Sequence, residues 1–128
     1  MTAWTDYQLD ALSGAIEIHL KPRKDNKSLG EATTLWVVAV GNDLYVRAVE
    51  GPDSKWFREA LHNDRGRITG AGVEEDVVFE QPDDSLRAEI DAAYRLKYAR
   101  YPDEYLGPVL TDDAAAATLR LVQDDSED

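Results

Sequence analysis

The chain has no cysteine in 128 residues, and it carries only 14 basic side chains against 26 acidic ones. Without cysteine there is no disulfide framework, no thiolate metal site and no cysteine nucleophile. A net charge of −12 leaves no basic footprint for nucleic acid or for an anionic membrane surface, so neither is expected as a partner. Histidine occurs twice, at His19 and His62, with no His-Glu-x-x-His or other paired spacing, so no metal is expected. A nucleophile elbow and a phosphate-gripping Walker loop are both missing, which removes the residues for a triad hydrolase or a nucleotide triphosphatase. No apolar run approaches the roughly 20 residues that span a bilayer. Residues 1–20 lack a basic start followed by an apolar stretch. A cytoplasmic protein is the expectation.

What is present reads as one domain over residues 1–122, with an acidic tail at 123–128 that holds Asp124, Asp125, Glu127 and Asp128. Residues 6–13 form a helix that Gly14 ends. Residues 15–20 alternate, with Ile16, Ile18 and Leu20 facing inward and Glu17 and His19 outward. A loop follows at 21–32. Residues 35–40 are apolar without a break, as in a strand covered on both faces. Gly41-Asn42-Asp43 turns the chain into a hairpin partner at 44–49. Gly51-Pro52-Asp53-Ser54 opens a short helix with Trp56, Phe57, Ala60 and Leu61 on its apolar face. A turn at 63–66 precedes strands at 67–71 and 76–80.

Pro82-Asp83-Asp84-Ser85 starts the longest helix, whose stripe is Leu86, Ile90, Ala93, Tyr94 and Lys97, and Pro102 stops it. A last strand covers 117–122, with Leu119 and Leu121 inward. About six strands in hairpins and three helices predict a mainly β architecture, an antiparallel, partly closed barrel with helices packed outside.

Four of the 14 basic residues, Lys21, Arg23, Lys24 and Lys27, crowd the loop before the apolar strand. Such a cluster is either a site for an anionic small molecule, bound by charge-assisted hydrogen bonds, or a solvated loop offsetting Asp25 and Glu31. Arg47 lies between Val46 and Ala48, on the strand face of Tyr45 and Val49. A guanidinium there needs a partner, either a ligand anion or a carboxylate of the chain. Trp36 and Trp56 serve as core or as walls for a flat ligand, with Arg58 two residues beyond Trp56. Lys97 and Tyr94 either line a pocket or belong to the helix packing, with the Lys97 ammonium reaching solvent.

Trp36-Val37-Val38, Leu44-Tyr45-Val46-Arg47, Gly51, Trp56, Arg58, Gly66-Arg67-Ile68 and the Ala93-Tyr94…Lys97-Tyr98 segment keep an order and spacing. Together they resemble the domain-of-unknown-function family numbered 2255 over most of residues 4–122. More distantly the chain is similar to the split-barrel flavin and deazaflavin reductases. There an Arg-Lys-Ser-Gly loop precedes a strand, and a Gly-x-x-Tyr-Val strand leads to a Gly…Trp-x-x-x-Leu turn and helix. Here Gly41…Tyr45-Val46, Gly51…Trp56…Ala60-Leu61 and Arg23-Lys24 run parallel, although Asp25-Asn26-Lys27 stands in place of Ser-Gly.

The resemblance implies a split β-barrel of the FMN-binding type, commonly a homodimer, and an oxidoreductase holding FMN or a deazaflavin. Arg23, Lys24, Lys27 and Thr33 would take the cofactor phosphate. Arg47 and Trp56 would shape the ring pocket, and Arg58, Tyr94 and Lys97 the substrate side. The other reading of the same residues is a cofactor-free protein that binds a small anionic or aromatic metabolite, as an accessory or non-redox enzyme.

Overall fold

The first described helix, α1 (Asp6–Gly14), opens on a capping box in which Thr5 and Gln8 satisfy each other's backbone N–H groups. The computed structural model describes residues 4–124. Strands β1 (Ile18–Pro22), β2 (Thr33–Leu35), β3 (Val38–Val40) and β4 (Asp43–Arg47) come next, then helix α2 (Lys55–Asn63). Strands β5 (Arg65–Gly70) and β6 (Val73–Glu80) form the longest hairpin. A 3₁₀ turn (Asp84–Leu86) leads into α3 (Arg87–Lys97). Two short helices, α4 (Asp103–Leu106) and α5 (Asp112–Ala116), flank a second 3₁₀ turn before β7 (Thr118–Gln123).

All seven strands lie in one antiparallel sheet, ordered β2-β1-β5-β6-β7-β4-β3. Its two edges are therefore consecutive in the chain. Only Trp36 and Val37 separate β2 from β3, so Leu35 and Val38 are at most about 11 Å apart. The sheet has to curl until its edges nearly meet, and the result is an open, strongly curled half-barrel of the split-barrel, FMN-binding-like type.

This corner corrects the expectation of one strand over 35–40. The run is apolar throughout because it feeds two cores in alternation. Leu35 and Val37 join the barrel interior with Ile18, Leu20, Leu44, Val46, Ile68, Val77, Phe79, Leu119 and Leu121. Trp36, Val38 and Val40 join an outer core with Tyr45, Ile90, Tyr94 and Tyr98. Side chains alternate through the corner, but the hydrogen-bond partner changes from β1 to β4.

Other boundaries moved as well. Ile16 precedes β1 and is 56% exposed rather than inward. The turn expected at 63–66 shrinks to Asp64, which takes a left-handed φ of 60° after α2. Helix α3 ends at Lys97, and Pro102 instead precedes α4 at its N-cap position. The acidic tail begins later than residue 123. Gln123 belongs to β7, and Asp124 pairs with Arg65 at 3.0 Å, while Asp125, Glu127 and Asp128 lie outside the described residues.

A strand that breaks in mid-run leaves backbone groups without a ladder partner, and buried ones must be satisfied. The Tyr98 hydroxyl does this at the corner. It accepts from the Val37 N–H at 3.1 Å and donates to the Ile16 carbonyl at 2.6 Å. The Lys97 ammonium donates to the Val37 carbonyl at 2.6 Å. Trp36 stacks flat on the Tyr98 ring, with centroids 3.9 Å apart and planes at 3°. Lys97, expected on the substrate side, is thus a corner brace.

Two outcomes are expected. Tyr98→Phe strands the buried Val37 N–H, so it should cost about 2 kcal/mol in chemical denaturation. An unchanged denaturant midpoint would show that the corner needs no pin. Burial lowers the Lys97 pKa from 10.5 to about 8. Between these values the unfolded chain binds more protons, so stability rises with pH. Above pH 10 the buried tyrosines oppose it, because burial raises Tyr98 to about 12 and the unfolded chain ionises first. Since Lys97 is only half-buried, the rise from pH 7.5 to 9.5 should be on the order of 1 kcal/mol, discounted for solvent screening. Urea midpoints should show that rise in the wild type and lose it in Lys97→Met.

Candidate functional site

Helix α2 turns about 100° per residue, so its first turn serves two sides at once. Lys55, Arg58, Glu59 and His62 follow an i, i+3, i+4, i+7 stripe and face the loop after β1. Between helix and loop lies a cleft of about 720 Å³, which Arg23, Lys24, Asp25 and Asn26 line from the other bank. Four arginines and lysines against two carboxylates give it a positive balance inside an acidic molecule. Among the described residues Lys24, Lys55 and Arg58 form no ion pair.

The loop is held in place by its own main chain. Lys24 N–H bonds the Ser28 carbonyl and Lys27 N–H the Lys24 carbonyl, both at 2.8 Å. The Asn63 amide donates to the Arg23 carbonyl at 3.0 Å and to Asp25 at 3.1 Å. His62 lies 3.0 Å from the Asp25 carboxylate. Arg23 is already engaged: its guanidinium donates to the Lys27 carbonyl at 2.6 Å and meets Asp76 at 3.4 Å. Lys27 sits at the exposed loop tip with φ 70° and does not line the cleft.

On the opposite flank of the same helix turn lies a cavity of about 390 Å³. Trp36 and Trp56 wall it, and Thr33, Arg47, Ser54 and Tyr94 are among its lining residues, with the Ser54 and Tyr94 hydroxyl oxygens themselves buried away from its surface. Val49, Glu50 and Tyr105 also line it and are exposed. Arg47 is only 3% exposed. Its Nε donates to Thr118 Oγ1 at 2.9 Å, and its Nη1 to Asp91 at 2.5 Å and to the Val109 carbonyl at 2.9 Å. It also stands 5.3 Å over the Tyr94 ring. Arg87 shares Asp91 at 3.6 Å and meets Asp112 at 2.8 Å, so a ladder of alternating charges fixes the buried guanidinium. Arg47 therefore has its carboxylate, and it still borders the cavity.

Two buried hydroxyls here have no well-formed hydrogen bond. One is Ser54 Oγ, and the other is Tyr94 OH, which lies close to the Arg47 main chain. Ser54 occupies the N-cap position of α2 but makes no side-chain cap bond. Burial drives the Tyr94 phenol far above its ordinary pKa of 10.0, so it keeps its proton.

The structure thus divides the expected residues. Arg23, Lys24 and Arg58 border the cationic cleft; Thr33, Arg47, Trp56 and Tyr94 border the aromatic cavity; Lys97 borders neither. Sequence reasoning passed over Lys55, the free hydroxyl of Ser54 and the role of Asp91. The helical spacing of Lys55 and Arg58 was a usable signal. Asp91 had one too, four residues after Arg87 beside the apolar stripe. Among the described residues no cluster of His, Asp and Glu is placed to hold a metal, and no helix is long and apolar enough to cross a membrane.

No curated protein sequence matches the chain. Solved structures share its fold at low identity. A conserved hypothetical protein of Mycobacterium tuberculosis superposes with a TM-score of 0.63 at 13% identity, over 92% of this chain and 78% of the other. A FAD-binding protein of Mesorhizobium loti gives 0.59 at 16%, over 97% and 93%. A protein named F420 reductase gives 0.54 at 14%, over 92% of each chain. The sequence itself is matched over residues 8–121 by the family model described as an uncharacterized protein conserved in bacteria, and the chain belongs to that family, DUF2255.

Proposed function

We infer that this chain binds a phosphate-bearing flavin-class cofactor, FMN or a deazaflavin, and acts as an oxidoreductase on a small molecule. One observation carries the reading. Three cations free of carboxylates gather at one cleft of a chain with 26 acidic residues, and an aromatic cavity adjoins that cleft across a single helix turn. Unpaired cations amid surplus carboxylate fit an anion that the protein alone does not supply.

The residues present fit such a group. Lys24, Lys55 and Arg58 would hold its phosphate, with Arg23 positioning the loop. Trp36 and Trp56 would wall the ring, beside Thr33 and Arg47. A cavity of about 390 Å³ falls within the roughly 300–1,000 Å³ of small-molecule sites. When bound, the ring supplies hydride transfer, which no side chain can provide. The FAD-binding protein and the F420 reductase that share the fold support the reading by analogy of architecture.

A second reading, a cofactor-free binder of an anionic or aromatic metabolite, draws on Asp25 and Glu59, which line the same cleft. Their charge would be unwelcome beside a dianion.

Titration with FMN and with a deazaflavin, followed by tryptophan quenching, should show saturable binding by at least one of them. Arg58→Ala and Lys24→Ala should each weaken it about tenfold, and the salt dependence should become shallower. Failure of both cofactors to bind at high micromolar concentration would leave the cofactor-free reading. We also infer a homodimer, because Val49 and Tyr105 border the cavity with 50% and 59% of their surface exposed. Sedimentation at micromolar concentration should give twice the chain mass, and a monomer there would exclude it.

A further inference from the structure

We propose that His62 is a proton-switched member of the cationic cleft. When protonated it joins Lys24, Lys55 and Arg58 as a further anion-binding charge, so the cleft takes up a proton together with a dianion of the phosphate or sulfate type. This rests on the reading of the cleft as an anion site and is independent of which molecule carries the anion.

The first support is position. His62 follows Arg58 by one helical turn on the stripe that faces the cleft. Its side chain is 68% exposed, so ring and charge are open to a molecule there. The chain has one other histidine, His19, which lies on β1 against Thr34 and outside the cleft. Histidine is the one side chain that ordinarily changes charge between pH 5 and 8.

The second support is Asp25. Its carboxylate stands on the opposite bank and is 80% exposed. Its Oδ1 lies 3.0 Å from His62 Nε2 and accepts from the Asn63 amide at 3.1 Å. An anion entering the cleft meets this negative charge. A neutral His62 leaves it standing, and a protonated ring at the same contact offsets it. The titratable group that masks the carboxylate is thus already in contact with it.

The charges facing the ring set the sign of the linkage. From its own helix come Lys55, Arg58 and Glu59, and from the loop Arg23, Lys24 and Asp25. His62 also lies in the last turn of α2, where the helix dipole favours a cation. Asp25, Glu59 and the dipole stabilise the protonated ring, and the four cations oppose it. A dianion among those cations cancels their opposition, so anion and proton each strengthen the other's binding. Both side chains stand in water, which holds the coupling to about threefold.

The test is an NMR titration of the isotope-labelled full chain with sulfate, which keeps its double charge across the range. The amide shifts of Lys24, Arg58 and Asn63 report binding at fixed, low ionic strength. Sulfate affinity should rise about threefold from about pH 7.5 to about pH 5.5 in the wild type and in His19→Gln. It should stay flat in His62→Gln, whose amide can still donate to Asp25 but carries no charge at any pH. At the upper pH the wild type and His62→Gln should bind alike, and Asp25→Asn should bind about threefold more tightly than either. The switch is overturned by a flat wild-type profile, by a rise that persists in His62→Gln, or by the absence of any sulfate response. It is overturned equally if His62→Gln weakens binding by the same factor at every pH, as loss of a structural contact does, or if Asp25→Asn weakens binding. Proton-linked sulfate binding without FMN or deazaflavin binding keeps the switch and ends the flavin reading. FMN binding with the same pH response in the wild type and in His62→Gln does the reverse.

Discussion

The whole structure depends on a two-residue join between the edges of one sheet. Strands β2 and β3 pair with different partners at opposite ends of a seven-strand order, yet Trp36 and Val37 alone connect them. An open, flat sheet cannot satisfy that connection, so curvature is imposed by chain continuity rather than by side-chain preference. The cost falls on the backbone at the corner, where ladder bonds stop on one side before they start on the other. Tyr98 and Lys97 meet that cost from α3. The outer helix is therefore part of the barrel's closure, and its last turn sets where Trp36 stands beside the cavity.

Electrostatics then sorts the molecule into two regimes. Most arginines are spent on carboxylates: Arg47 and Arg87 on Asp91, Arg67 on Asp76, and Arg120 on Glu80. The buried member, Arg47, survives burial because Asp91, Thr118 and Val109 share its donors, and without such partners a charge at that depth would be prohibitive. Of the cations left over, Lys24, Lys55 and Arg58 share one cleft, while Lys21, Lys27, Arg95 and Arg100 stand exposed elsewhere. A net charge of −12 makes that segregation more telling, since a free lysine here has 26 acidic residues to choose from and meets none of them.

Much of this was legible in the sequence, and the rest was hidden for identifiable reasons. Alternation placed Arg47 on the face of Tyr45, and the stripe Ile90–Tyr94 named the inner face of α3. The apolar run at 35–40 misled because hydrophobicity reports what covers a residue, not which strand it bonds to. Its period-two split between two cores is visible only once both cores exist. The helices at 103–116 were missed because they are four and five residues long, too short to show a period. At the site, composition revealed the cationic loop but not that Arg23 turns back on its own loop. It placed Ser54 in the run that opens α2 but could not show an idle hydroxyl. Which polar atoms go unpaired is decided by tertiary packing.

That idle hydroxyl bears on how the two cavities are related. A serine at the N-cap position ordinarily stabilises its helix by bonding an exposed N–H of the first turn, a contribution of about 1 kcal/mol. Ser54 has the residue type, the position and the extended backbone for this, and forgoes the bond. Local helix stability therefore does not account for its orientation. The neighbouring residues diverge, with Lys55 on the cleft and Trp56 on the cavity. Successive side chains on a helix point about 100° apart on a rigid backbone. A cation on the cleft and an aromatic wall on the cavity, one residue apart, set the two hollows on either flank of a single stiff element.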